Sequence, residues 1–217
     1  MAISVMLMKL LEGMGVSVMI FLVTLIFSLP LGLLVSFGRM SKNPVICAIT
    51  KFYISIMRGT PLMLQLMVVY FGPYYLFGIK IKSNNFRLWA AFIGFVINYA
   101  AYFAEIYRSG IQSMPVGQYE AAKLLGYSRS QTFFKIILPQ VIKRILPSIT
   151  NEVITLVKDT SLAFTISVME MFSIAKALAS SQTSMIPFVA AGLFYYIFNL
   201  LVAVIMERVE KKLSYYQ

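Results

Sequence analysis

EAAKLLGYSRSQTFFKIILP, residues Glu120 to Pro139, is a polar island of mixed charge in a chain that is otherwise mostly apolar. Its turns can be read directly. Pro115 suits the first turn of a helix, where its missing N–H costs nothing, and Ser113 lies just before it. Gly126 can take the left-handed conformation that closes a helix, so the spacing predicts a helix over 115–125. Ser128-Arg129-Ser130-Gln131 matches a capping box, with Ser128 as cap and Gln131 reaching back to it. A second short helix then runs from Arg129 to Pro139, and the two form a tight hairpin. Ala121 and Ala122 leave one face flat enough for a partner to approach, and Glu120 offers that partner a charge.

The surroundings of this island are membrane. Of 217 residues, 59% are apolar against a usual figure of about 45–50%, and 12% are charged against about 25%. A soluble domain of this composition could not cover its own core. The net charge of +11 would suggest nucleic acid in a soluble protein; in a bilayer it reflects Lys and Arg gathered in cytoplasmic loops, and no nucleic-acid partner is expected. Cys47 is the only cysteine and histidine is absent, which excludes an internal disulfide and argues against zinc, any other metal centre and histidine-based catalysis.

Five apolar stretches follow in order, giving an all-α integral membrane fold. A helix needs about 20 apolar residues to cross the hydrocarbon core. The first span is about 14–37, with Pro30 inside it. Only Lys9 and Glu12 precede it, it is too long for a signal-peptide core, and it has no small-residue cleavage site, so it reads as a retained span. The second, about 52–77, is interrupted by Arg58-Gly59-Thr60-Pro61. The third is about 88–107, with Trp89 as an interfacial aromatic. The fourth, about 145–168, is the least hydrophobic, and the fifth is about 188–206, ahead of a charged tail from Glu207 to Lys212. The chain is one transmembrane domain, 1–217, with the polar segment 113–140 between spans three and four.

Five spans place the termini on opposite sides. If 108–144 is cytoplasmic, the loops and tail on that side hold 12 of the 19 Lys and Arg residues. The other side holds 5, namely Lys9, Lys80, Lys82, Arg87 and Lys176, and Arg58 and Lys158 lie within spans. The bias therefore sets the N-terminus outside and the C-terminus inside.

Glu120-Ala121-Ala122, then Gly126, then Ile136 and Leu138-Pro139 resemble in full spacing the coupling loop of the membrane subunits of ABC importers. Arg58-Gly-Thr-Pro61 and Lys158-Asp-Thr-Ser-Leu162 are similar to the polar amino acid branch of that family. The resemblance implies a permease in the bacterial inner membrane, paired with itself or a similar permease. It implies two cytoplasmic ATPase subunits that carry ATP and Mg2+, docking at Glu120, Ala121, Ala122 and Gly126, and an extracytoplasmic amino-acid-binding protein. No Gly-Lys pair occurs in the chain, so it supplies no phosphate loop of its own and catalyses no bond chemistry. An ion-coupled secondary transporter or channel is the competing class, and the Glu-Ala-Ala segment and the lack of an inverted repeat argue against it.

Ionisable side chains at bilayer depth cost at least about 2.5–3.5 kcal/mol on insertion scales, which makes them functional candidates. Asp159 is the only aspartate. It either pairs with Lys158, or takes the α-ammonium of an amino acid while Lys158, or Thr160 and Ser161, takes the carboxylate. Lys158 has the further option of reaching an interface. Glu152, seven residues earlier, lies on nearly the same helical face about 10 Å away, a separation close to an extended arginine or lysine. Two acids on one face favour basic cargo; glutamine, cystine or an acidic amino acid are the alternatives. Asn98, with Tyr102 one turn on, and Gln65 are pocket candidates or interhelical glue. Arg58 shapes a broken second span or pairs with Glu105.

Overall fold

The computed structural model describes residues 3–79 and 85–213, and every regular element within them is helical. Lys80 and Lys82, which enter the charge count, lie outside the described residues. Helix α1 (Ile3–Arg39) has 37 residues, about 55 Å of helix against about 30 Å of hydrocarbon. The expected span of 14–37 is therefore only part of it. Lys9 and Glu12 do not stop the helix, because both are exposed while Met6 and Leu10 on another face are buried against α8 (Met171–Gln182).

The most extensive helix contact is between α1 and α4 (Phe86–Gln112). Thr24, Ser28, Gly32 and Ser36 recur every fourth residue of α1 and are all buried. On α4, Ala100, Ala101 and Ala104 are fully buried. A Cβ at Gly32 would lie 2.8 Å from the Cβ of Phe103 and 3.0 Å from the Ala100 carbonyl oxygen, so the crossing requires glycine. Small residues hold helices together by close packing where lipid supplies no hydrophobic drive. Thr24 and Ser36 donate to carbonyls of their own helix, at 2.7 Å each, which settles their hydroxyls inside this interface.

The second apolar region is not one straight span. Helices α2 (Pro44–Gly59) and α3 (Leu62–Phe77) meet at 111°. Pro61 has no N–H to continue α2, and it holds Thr60 extended, at φ −124° and ψ 148°. Helix α2 starts eight residues before the expected 52 and is capped by Asn43, its side chain accepting from Val45 N at 2.9 Å. The Tyr53 hydroxyl donates to the Ile97 carbonyl and fastens α2 to α4. Helix α4 continues past 107 to Gln112, because Glu105 and Arg108 pair along it at 2.7 Å. The Arg58–Glu105 pair is not formed. Glu105 faces Arg39 at 3.7 Å as well as Arg108, and the Arg58 guanidinium lies 5.4 Å from the centre of the Tyr102 ring.

The polar island also departs from expectation at its far end. Helix α5 (Val116–Leu124) is short, but α6 (Arg129–Gln131) does not stop at Pro139. A π turn over Thr132–Ile137 leads straight into α7 (Leu138–Asp159). Leu138 N bonds the Phe133 carbonyl, five residues back, and this widened turn carries the helix through Pro139, which has no N–H to donate. The second arm of the hairpin is thus the root of the fourth span. That span in turn ends at Asp159, passes through a 3-10 turn (Thr160–Ile166), and bends by 60° into α8. Helix α9 (Ile186–Leu213) runs through the charged tail, where Glu207 and Lys211 pair at 2.7 Å. Among the described residues three helices, α1, α4 and α9, are long and apolar enough to cross a membrane, and the two bent pairs bring the number to five if each crosses once.

Candidate functional site

On the polar island the expected caps are present. Gly126 has φ +78°, Tyr127 N bonds the Ala122 carbonyl at 3.0 Å, and Gly126 N bonds that of Lys123 at 3.1 Å. These bonds close α5 with a left-handed turn. Gln131 N reaches Ser128 Oγ at 3.2 Å, and Ser128 N reaches Gln131 Oε1 at 2.9 Å. Ala122 is 1% exposed, so it packs inward, whereas Glu120 and Ala121 lie on the outer surface. Beside them Val116, Leu124 and Leu125 are 70%, 88% and 74% exposed. A rigid, apolar surface with one acid at its centre stands where the chain is otherwise polar.

The second candidate site is on α7. Ser148, Asn151 and Lys158 are exposed, and Glu152, Thr155 and Asp159 are partly so. They recur at steps of three and four, which puts them on one side of the helix. A membrane helix cannot turn such a face to lipid, so it faces a water-filled path or a partner. At its end Asp159 Oδ2 accepts from the buried Tyr99 hydroxyl at 2.7 Å, across from α4. The mutual ion pair of Lys158 and Asp159 is not formed; among the described residues the ion pairs are Arg39–Glu105, Arg108–Glu105 and Lys211–Glu207. Thr160 and Ser161 donate to the carbonyls of Val157 and Lys158 at 2.8 Å each, so either hydroxyl must rotate to donate elsewhere. Tyr102 lies beside Tyr99, with ring centres 6.1 Å apart, and Arg58 covers it.

Asn98, one turn before Tyr102 on α4, is paired with Gln65. Asn98 Nδ2 donates to Gln65 Oε1 at 2.9 Å and to the Met57 carbonyl at 3.1 Å. Gln65 Nε2 donates to the carbonyls of Met57 and Thr60, at 3.0 and 3.1 Å, and to Thr60 Oγ1 at 2.9 Å. Both amides are buried and satisfy carbonyls that the end of α2 leaves without helical partners. They brace the 111° bend.

Residues 28–215 match the family described as binding-protein-dependent transport system inner membrane component. The chain belongs to that family. It is similar to the arginine transport system permease protein ArtQ of Bacillus subtilis (strain 168), with 38% identity over 94% of this chain and 92% of ArtQ. It is also similar to the octopine transport system permease protein OccM of Rhizobium radiobacter, with 40% identity over 82% of this chain and 76% of OccM. Among solved structures, that of an amino acid ABC transporter with histidines superposes with a TM-score of 0.84 at 28% identity, covering 94% of both chains. The MetNI methionine ABC transporter shares the fold, with a TM-score of 0.74 at 17% identity over 99% of this chain and 100% of that one.

This inner membrane transport component also holds a fully buried acid, Glu170, which a span boundary at 168 leaves in a loop. It is the N-cap of α8. Its carboxylate accepts from Phe172 N and Ser173 N at 2.7 Å each and from the Tyr195 hydroxyl of α9 at 3.0 Å, while Ser17 Oγ of α1 lies 3.5 Å away. The signal available in the sequence is an acid among Val168, Met169, Met171 and Phe172, an apolar setting that calls for partners. Glu170→Ala removes a cap worth about 0.5–2 kcal/mol and deprives the half-buried Tyr195 hydroxyl of one partner. Thermal unfolding in detergent should shift down by several degrees, with Glu170→Gln intermediate. An unchanged melting temperature for the alanine variant would contradict the bracing role.

Proposed function

We propose that this chain is the permease subunit of an ATP-driven importer for polar, basic amino acids. The observation that carries the reading is the polar face of α7, from Ser148 to Asp159, on a helix of a membrane bundle. Two permeases, identical or similar, would set these faces around a shared path. Asp159, oriented by Tyr99, takes the α-ammonium of the cargo, and Glu152 takes the cationic side chain. Lys158, or Ser161 after rotation, takes the carboxylate; Thr160 is fully buried and supports the turn from behind. Tyr102 and Arg58 form the wall between the two acids. The role of Asn98 and Gln65 is to keep that wall in place. ArtQ, by its name, serves arginine, which supports cationic cargo.

The N-terminus lies outside and the C-terminus in the cytoplasm, as the Lys and Arg distribution favours. The outer surface of α5 then faces the cytoplasm, and Glu120, Ala121 and the turn at Gly126 dock an ATPase subunit, with Ala122 supporting them from beneath. Two such subunits hold ATP and Mg2+, and an extracytoplasmic binding protein delivers the amino acid. The test of cargo is substrate-stimulated ATP hydrolysis by the reconstituted complex in liposomes. Arginine and lysine should stimulate most among a panel including glutamine, cystine and glutamate; a maximum at a neutral or acidic amino acid would overturn the basic assignment.

A further inference from the structure

A cavity of about 890 Å3 lies before Ser148 along α7, where the π turn and the first turns of that helix meet Met114 and the last turn of α9. Four cations line it, Lys135, Lys143, Arg144 and Lys212, and no acid among the described residues does. Met114 and Ile136 give it an apolar floor. A narrower space of about 170 Å3 shares Lys143 and Leu213 with it and extends to Leu146 and Pro147, one turn further along α7. The acid there, Glu210, accepts a hydrogen bond from Thr150 at 2.5 Å. Arg144 is held at the rim by one N–H donated to the Ser113 carbonyl at 2.8 Å, and a guanidinium has four more donors to offer.

The position matters as much as the charge. The cations sit within a few residues of where α7 enters its apolar stretch and α9 leaves its own, the depth at which phospholipid headgroups lie. A basic hollow between membrane helices on the cytoplasmic side suits an anionic headgroup. A free phosphate would leave the apolar floor and the extension to Leu146 unused, and a protein partner would find a recess rather than a surface.

We propose that this cavity binds the phosphate of an anionic phospholipid of the cytoplasmic leaflet, with its glycerol and first acyl carbons lying towards Leu146 and Pro147. The proposal rests on the cytoplasmic placement of the C-terminal end argued above. The test uses the full-length chain, purified and delipidated in neutral detergent, with lipid retention read by native mass spectrometry. Phosphatidylglycerol should be retained in preference to phosphatidylcholine of the same chain length. Arg144→Gln with Lys212→Gln should lower that retention about tenfold or more, and Arg144→Lys with Lys212→Arg should restore it. Equal retention of phosphatidylglycerol by wild type and the glutamine variant would overturn the site. So would full displacement by inorganic phosphate at equal concentration, which would make it a site for a free anion. Loss of ATPase co-purification in the glutamine variant with lipid retention unchanged would make it a protein-docking surface instead. Retention in detergent does not depend on orientation, which labelling of a cysteine added at the C-terminal end in sealed vesicles reports separately.

Discussion

Glu120→Arg is expected to detach the ATPase while leaving the membrane helices folded. Glu120 is exposed and makes no hydrogen bond or ion pair among the described residues, so the substitution removes no internal contact. Exposed substitutions of this kind usually change stability by less than about 0.5 kcal/mol. The effect on docking is far larger. The acid sits among Val116, Leu124 and Leu125, on a surface whose covering would desolvate it. Breaking a hydrogen-bonded charge pair in such an interface costs about 2–5 kcal/mol, or roughly 30- to several thousand-fold in affinity. Co-purification of the ATPase and ATP-dependent uptake should both be lost, with an unchanged melting temperature. Unaltered co-purification and transport would remove α5 from the docking account.

Asp159→Asn is expected to lower uptake of every amino acid the complex carries, by about tenfold or more. Asparagine keeps an oxygen for the Tyr99 hydroxyl, so the 2.7 Å link to α4 survives in neutral form and the helices stay in place. What disappears is the charge. Hydrogen bonds to ionised groups contribute about 1.5–3 kcal/mol, and an α-ammonium common to all cargo would lose one. Measured uptake across a panel separates two outcomes. A uniform loss supports the α-ammonium role, whereas a loss confined to arginine and lysine would move Asp159 to the side-chain end of the cargo.

How legible this was differs from element to element. Caps are local chemistry, so Gly126 and the Ser128–Gln131 box read correctly from four adjacent residues. The helix after them did not end where proline suggested, because a π turn is set by packing and supplies no signature in composition. Hydropathy finds what lipid must touch, and so it missed the first three turns of α1 and stopped before the buried Glu170. The 111° bend was visible as Arg58-Gly-Thr-Pro61, yet the amides that brace it, Asn98 and Gln65, lie 33 residues apart in sequence and read equally well as pocket or glue. Tyr99 was silent for the same reason: only folding reveals that its hydroxyl meets Asp159.

The central claim is that this chain forms a path driven by ATP hydrolysis on separate subunits. It is tested most directly by arginine uptake into liposomes holding the purified permease, the ATPase and the binding protein, with no ion gradient across the membrane. Uptake should require ATP and Mg2+ and stop when the ATPase is omitted. Uptake that proceeds without ATP and follows an imposed proton or sodium gradient would contradict it.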